Sequence, residues 1–555
     1  MDKKRKRDRK PDANFLPSHI GEAFQNQLVD LVDRLAENGG FKEKYLRSEL
    51  LSKYCDSKTT PADVRRSSAI KKWQSVEKRN AITNRRLSIG DEDFGWTTSD
   101  IIIDDARKFI SKVLGTLDQK KVFRRISHTN GASTRISRSP KAAIEKHEGK
   151  AHVSSRALGY WLMIAQNTQL SDQELEIQEC SELFTVPKST DIDRPACKEP
   201  EINMLLQRCV GGYIRQRLRQ FGIDLNDQTR NQELAKTALA KGLATIDLSS
   251  ASDTVTRSLV MCLLPTEWWY LLDDLRVHWT SIDGEIHYLQ MFSSMGNGFT
   301  FELESLLFWA LTRSICRLSG VRGTISVYGD DIIAPSRIGP RLRRVFAWFG
   351  FTVNAKKSHW SGPFRESCGK HYYDGRDVTP FYIRQPVSGK TDIIRLLNRL
   401  LVWDGYPYGC FITKEVAEFH AKWAQQIPTS LWGGSDPEDV TSLVTGHIPR
   451  KRLFRNSRKL PYNHMYGFRS WLMMTGQIPV PFGEEGFWDQ YIHTFQREIS
   501  EREECLSLSP SVETRYIVAA PEPFRDRSSG VYDSGEVTTW DPYMIYGVSV
   551  VPGSY

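Results

Sequence analysis

Three short acidic segments in the middle of the chain combine residue types and spacings suited to phosphate chemistry. The first is Ala244-Thr245-Ile246-Asp247-Leu248-Ser249-Ser250-Ala251-Ser252-Asp253. Its apolar run reads as a strand ending at Asp247, and Ser249 or Ser250 is placed to cap a following helix. A carboxylate at a strand's C-terminal end is a usual ligand position in α/β sheets, although an Asp there is more often a turn or cap residue. The second is Thr324-Ile325-Ser326-Val327-Tyr328-Gly329-Asp330-Asp331-Ile332-Ile333-Ala334. Two β-branched runs flank Gly329-Asp330, a hairpin pattern that explains the glycine and one Asp. Two adjacent acids between apolar strands repel each other, and such pairs are tolerated when a cation sits between them. The third is Ser294-Met295-Gly296-Asn297-Gly298-Phe299-Thr300-Phe301-Glu302-Leu303-Glu304, a Gly-rich loop that opens a helix apolar nearly all round as far as Leu311. Its glycines allow close backbone approach to a ligand, and Thr300 and Glu304 share a helix face. Standing alone, it reads more readily as a buried core helix with a flexible entry loop.

The elements around these segments set bounds. The chain has 555 residues, 40% hydrophobic and 26% charged, enough for several domain-sized units of a globular protein. The longest apolar runs, such as Leu306–Leu311, are far short of the ~20 residues a membrane span needs. The charged N-terminus carries no signal-peptide pattern. Nine scattered cysteines without a CxxC fit a reducing cytosol better than a disulfide framework. Charge is strongly segregated. Residues 2–10, 120–156 and 448–460 are net +5, +8 and +6 in a chain of net +9, so the remainder is acidic. Three cationic blocks point to a polyanion partner, since neutralising a phosphate backbone needs many cations along one track. Thr129–Ser155 reads as a long, mobile, basic loop, and Leu205–Phe221 as a helix carrying Arg208, Arg215 and Arg219. From Leu243 onward the pattern is mixed α/β. The stretch from Pro521 reads as a surface wrap.

Taken together, the three acidic segments resemble the palm of right-handed RNA-dependent RNA polymerases. Asp247 and Asp253 are similar to the first palm motif, Gly296, Thr300 and Glu304 to the second, and Tyr328-Gly329-Asp330-Asp331 to the third. Five residues rather than four separate Asp247 from Asp253, and Glu304 stands where many such enzymes have Asn. Both departures are those of the replicases of leviviruses, the single-stranded RNA phages of the Q-beta type. The resemblance extends to Phe184–Lys188, Asp193–Pro200, Gly222–Gln228, Phe364–Gly369 and Pro380–Ile383, and is close over about residues 180–390.

That resemblance implies an α+β right hand: N-terminal region and fingers over 1–240, a palm over 241–390 built on an antiparallel sheet with the Tyr328–Asp331 hairpin, and thumb with a C-terminal extension over 391–555. It implies RNA-directed RNA polymerisation, in which a 3′-hydroxyl attacks the α-phosphate of a ribonucleoside triphosphate. Two Mg²⁺ ions, with Mn²⁺ as substitute, would be held by Asp247, Asp330 and Asp331, because hard cations favour carboxylate oxygens. Lys188, Arg194 and Lys198 would meet the triphosphate. Lys357, in a segment resembling the fourth palm motif, would act as general acid for the departing pyrophosphate. Asp253 and Asn297 would read the ribose 2′-hydroxyl, with Thr300 beside them in the nucleotide site. The implied partners are template RNA, host elongation factors Tu and Ts, and the largest small-subunit ribosomal protein, in the cytoplasm of a bacterial host. Three other readings compete. Reverse transcriptase is the nearest, but that family usually has an aromatic where the ribose is sensed, and this chain has Asp253 there. A carboxylate-pair hydrolase using Glu302 and Glu304 leaves Gly329 and the basic blocks unexplained. A non-catalytic basic RNA-binding protein explains the charge but not the acidic segments.

Overall fold

The computed structural model describes residue 14 and residues 16–444, apart from 56–60, 125–127, 140, 167–172, 189–191, 406–412, 429–430, 435–436, 439 and 441. The basic blocks at 2–10 and 448–460, the stretch from Pro521 and most of the expected thumb and extension lie outside the described residues. By contact the chain forms two units, 57–379 and a second made of 1–56 with 380–555. This division cuts the expected segment 1–240 near its start and falls close to the expected boundary at 390.

In the unit containing both termini, helices Ser18–Asn38, Phe41–Glu49, Lys390–Asp404 and Lys414–Ala424 close over an apolar core. Phe24, Leu28 and Leu31 supply one side, and Ile393, Leu397, Leu400 and Trp423 the other. The three- and four-residue spacing of Phe24, Leu28 and Leu31 and of Ile393, Leu397 and Leu400 puts each trio on one helix face, and Trp423 comes from helix Lys414–Ala424.

The 57–379 unit is organised on helix Thr300–Leu318. Leu303, Leu306, Leu307, Phe308, Leu311 and Ile315 are fully buried, so its apolar faces are covered all round, as the composition predicts. Each such side chain contributes roughly 1.5–3 kcal/mol by leaving water. The helix packs against Ser99–Leu114 and Glu201–Gln220, the latter matching the helix expected over Leu205–Phe221.

Against it lies a three-stranded antiparallel sheet in the order Leu243–Ile246, Asp331–Pro335, Ser326–Tyr328. Its central strand buries Ile332, Ile333 and Ala334 in succession, as a strand covered on both faces must. Tyr328 pairs with Asp331, leaving Gly329-Asp330 as a two-residue hairpin loop with Gly329 at φ 60°. The Gly329 N–H donates to Ser305 Oγ at 2.9 Å, which clamps the loop to the helix. A Cβ on Gly329 would lie 2.6 Å from the Phe301 ring, so glycine is required by packing as well as by φ.

Two expectations are corrected. No helix follows Asp247 directly. Leu248–Ser249 instead pairs with Thr352–Val353, Ser250 takes φ 53°, and a single 3₁₀ turn, Ser252–Thr254, precedes the helix at Arg257. The Thr129–Ser155 segment is not a loose basic loop. Lys146 is fully buried and donates to the Thr129 and Gly131 carbonyls at 2.8 and 2.7 Å. Arg135 Nε donates to buried Glu201 at 2.7 Å. These cations are spent holding the segment together.

Candidate active site

The register Ile332↔Ile246, continued by one residue, sets Asp331 across from Asp247 at one end of the sheet, with Asp330 at the hairpin loop beside them. A loop from Asn354 to His359 straps the end of the Asp247 strand. The Asn354 N–H and the Ser358 hydroxyl donate to the Asp247 carbonyl at 2.9 and 3.2 Å, and the Asp247 N–H donates to Ser358 Oγ at 3.1 Å. The same loop brings polar groups to the Asp247 carboxyl. Asn354 Nδ2 donates to it at 3.1 Å and Lys357 Nζ stands 3.9 Å away.

Burial pushes Asp247 up to about 6; Lys357 opposes that rise and Asp330 adds to it. Asp331 accepts from the Cys368 N–H at 3.1 Å and the Ser367 hydroxyl at 3.4 Å. Burial first, then the charge of Asp330, carries it to about 7. Burial works against the Lys357 ammonium, but Glu366 at 3.5 Å and Asp247 outweigh it and hold its pKa above the usual lysine value. The three acids are thus coupled through space in a partly desolvated pocket, with one protonated amine beside them. Among the described residues no three His, Cys, Asp or Glu side chains already converge on one ion position. The carboxylate oxygens of Asp247, Asp330 and Asp331 are donors of the hard type that suits a divalent cation.

The Gly-rich loop closes a second side. Gly296 has φ 112°, and a Cβ there would lie 2.1 Å from the Cys197 carbonyl oxygen, so the loop lies directly on strand Asp193–Lys198. The Gly298 N–H donates to Gln207 Oε1 at 2.9 Å. Asn297 is buried; its Oδ1 accepts from the Phe299 N–H at 3.1 Å, while its Nδ2 has no hydrogen-bond partner among the described residues. A buried donor without a partner is costly unless a ligand completes it. The Thr300 hydroxyl donates to the Ser294 carbonyl at 2.9 Å, which holds the loop and leaves its oxygen able to accept.

Asp253 sits in the 3₁₀ turn, and Asn80 Nδ2 fixes its carbonyl at 2.7 Å. Burial, then Glu77, raises Asp253 to about 6, while Lys72, Lys188 and Arg194 pull it back. Lys188 is lowered by desolvation and by its cationic neighbours Arg194, Lys72 and Lys357, with Asp247 opposing. Lys188 and Arg194 are therefore within electrostatic reach of the acidic centre. Lys198 is not free in the same way: its Nζ is paired to both carboxylate oxygens of Glu182 at 3.1 Å.

The structure adds residues that sequence reasoning did not assign to the site. Asn354 and Glu366 lie in segments already singled out, but nothing local shows that a side chain 107 positions from Asp247 returns to it. Glu304, which the sequence already placed in the second palm segment, gains a partner and a charge environment from the fold. It is buried, accepts from Ser252 Oγ at 2.7 Å, and is pushed up to about 8 by desolvation and by the charges of Asp330, Asp253 and Glu302.

Comparison with known proteins shows the family of the chain. The family model described as RNA replicase, beta-chain, matches residues 14–466. The RNA-directed RNA polymerase beta chain of Escherichia phage MS2 is 39% identical over 434 residues, covering 75% of this chain and 79% of that protein. The RNA-directed RNA polymerase subunit beta of Escherichia virus Qbeta is 42% identical over 369 residues, covering 65% of this chain and 62% of that one. A solved BmCPV RNA-dependent RNA polymerase aligns with 54% of this chain and 31% of its own at TM-score 0.32 and 12% identity, too loosely to bear on the fold. With a family model matching most of its length and relatives of about 40% identity, the chain belongs to the RNA replicase beta-chain family of RNA phages.

Proposed function

We infer that the chain, an RNA-directed RNA polymerase of the replicase family, transfers nucleotides at the sheet end where Asp247, Asp330 and Asp331 meet. The observation carrying this reading is the strand register that sets Asp331 across from Asp247 with Asp330 at the turn. In this reading 57–240 contributes fingers and 241–379 the palm. Asp247, Asp330 and Asp331 would hold two Mg²⁺ ions, or Mn²⁺, which when bound lower the barrier to attack on the α-phosphate and steady the leaving pyrophosphate.

The chain's own side chains do the rest. Lys357, kept protonated by Glu366 and Asp247, has a proton to give to a departing anion. Asn354 and Ser358 orient Asp247. Lys188 and Arg194 neutralise triphosphate charge, and Lys198 does so only after leaving Glu182. Asp253 and the open Nδ2 of Asn297 flank the place for a ribose 2′-hydroxyl, which both donates and accepts. Template RNA and ribonucleoside triphosphates are the substrates. Host elongation factors Tu and Ts and the largest small-subunit ribosomal protein are proposed partners, and the host cytoplasm the proposed location. Among the described residues no helix is long and apolar enough to cross a membrane.

The test is Asp330→Asn in the full chain, supplied with host extract, RNA, four ribonucleotides and Mg²⁺. Synthesis should fall by at least about a thousandfold with RNA binding nearly intact, and Asp247→Asn with Asp330→Asn together should be hardly worse than either, because the two act as a unit. Near wild-type synthesis by Asp330→Asn would sink the assignment.

A further inference from the structure

Helix Ala62–Ile89 runs between the two parts of the nucleotide site and is pinned at both. At one end Arg65 Nε donates to Asp193 at 3.1 Å, beside the last pair of the hairpin that carries Lys188 and Arg194. Further along, Asn80 Nδ2 donates to the carbonyl of Asp253 at 2.7 Å. Between them Trp73 packs with Leu183 and Cys197 of that hairpin. Lys72 stands about 10–12 Å along the axis from each pin, at 1.5 Å per residue.

The position of Lys72 on the helix is unusual for a lysine. It lies three residues after Ala69 and four before Val76, both buried, so it projects from the edge of the inward stripe. Yet it is exposed, and among the described residues it has no hydrogen bond or ion pair. The neighbouring cations of the helix that face acids are paired: Arg65 with Asp193 and Arg66 with Asp283. Lys72 therefore carries an unneutralised ammonium on the helix that packs against both the hairpin and the Ser252–Thr254 turn. Lys188 and Arg194 are exposed and equally without an ion pair among the described residues. All three act electrostatically to lower the pKa of Asp253, against its burial and Glu77. Three unpaired cations beside a candidate sugar reader form a surface for a compact polyanion attached to that sugar.

We propose that Lys72 is a further triphosphate-binding residue, completing with Lys188 and Arg194 a three-cation cradle for the incoming nucleotide. This rests on the nucleotidyl-transfer reading above. The triphosphate is favoured over the RNA backbone because Lys188 also acts electrostatically with Asp247 and Lys357, so the cradle spans from the sugar side to the catalytic side.

The experiment measures KM and kcat for GTP at saturating template and fixed Mg²⁺, using the full chain with host extract, for wild type, Lys72→Ala and Lys72→Arg. RNA affinity without nucleotide is measured alongside. Lys72→Ala should raise KM about tenfold, the scale of one charge-assisted contact, with kcat within about threefold. Lys72→Arg should restore KM to within about threefold, which loss of a structural contact would not predict. RNA affinity and the thermal midpoint should not move. An unchanged KM, or a loss of RNA affinity instead, overturns the proposal and leaves the polymerase reading standing. A wild-type chain that incorporates no ribonucleotide overturns both.

Discussion

The hydroxyl of Ser252 donates a 2.7 Å hydrogen bond to Oε2 of Glu304, joining the turn that carries Asp253 to the buried helix beneath the Gly329-Asp330 loop. Glu304 is buried among other acids and is pushed up to about 8 by desolvation first and by Asp330, Asp253 and Glu302 after it, so it is neutral at pH 7. Its folded pKa is raised above the unfolded value of about 4.3. The stabilisation is therefore full below about pH 4 and is lost as pH rises through about 8. In metal-free protein, Glu304→Gln keeps the neutral shape and removes the titration. Its thermal midpoint relative to wild type should rise as pH goes from 5 to about 8 and level off above that, at about 2–4 °C per kcal/mol. A pH-independent difference would show that Glu304 is ionised in the folded chain.

Gly329 is held by φ 60° and by the Phe301 ring, which a Cβ would approach to 2.6 Å. Gly329→Ala should cost about 1–3 kcal/mol in stability, from the left-handed backbone and the displaced ring. Because Asp330 follows directly, synthesis should fall by more than stability alone explains. Chemical denaturation and single-nucleotide incorporation, compared on the same sample, check this. A fully active variant would mean that the hairpin loop tolerates rearrangement without moving Asp330.

The basic segment between Thr129 and Ser155 separates into two kinds of cation. Arg135 neutralises Glu201, which is fully buried, so Arg135→Ala should destabilise the fold by about 3–5 kcal/mol, the usual result of stranding a buried charge. Its direct effect on salt dependence should be small. Arg138 and Lys141 have no side-chain ion pair among the described residues, and Arg138 is exposed. Neutralising both should flatten the log–log salt slope of RNA binding by up to about 1.4, at ~0.7 per phosphate contact on a single strand. An unchanged slope would make this segment structural throughout.

Sugar choice tests the other side of the site. Removing a 2′-hydroxyl that a pocket hydrogen-bonds leaves polar groups unpaired, at about 1–3 kcal/mol each. Asp253→Ala and Asn297→Ala should each lower kcat/KM for GTP more than for dGTP, by about tenfold in the ratio. A variant that loses activity equally with both sugars would mark that residue as a structural support of its turn or loop.

The sequence by itself determined the local pieces of this protein and the chemistry they carry. The β-branched runs around Gly329-Asp330 specify a hairpin, because only that turn seats a glycine between two strands. The nearly all-round apolar pattern to Leu311, interrupted only by Thr300, Glu302, Glu304 and Ser305, reads as a buried helix, and the fold buries it. The acids at 247, 330 and 331 were gathered into one proposed centre by the resemblance of their segments to polymerase palm motifs, not by residue type alone. Only the tertiary structure decided which cations belong to that centre. A lysine reads the same in sequence whether it is paired with Glu182, as Lys198 is, buried under carbonyls, as Lys146 is, or left open, as Lys72 is. What separates them is the partner that folding brings within about 4 Å, and Coulomb energy depends on that distance and on local burial rather than on residue type. The partners that orient Asp247 come from 107 and 111 residues away, across a sheet register that no short window of sequence contains.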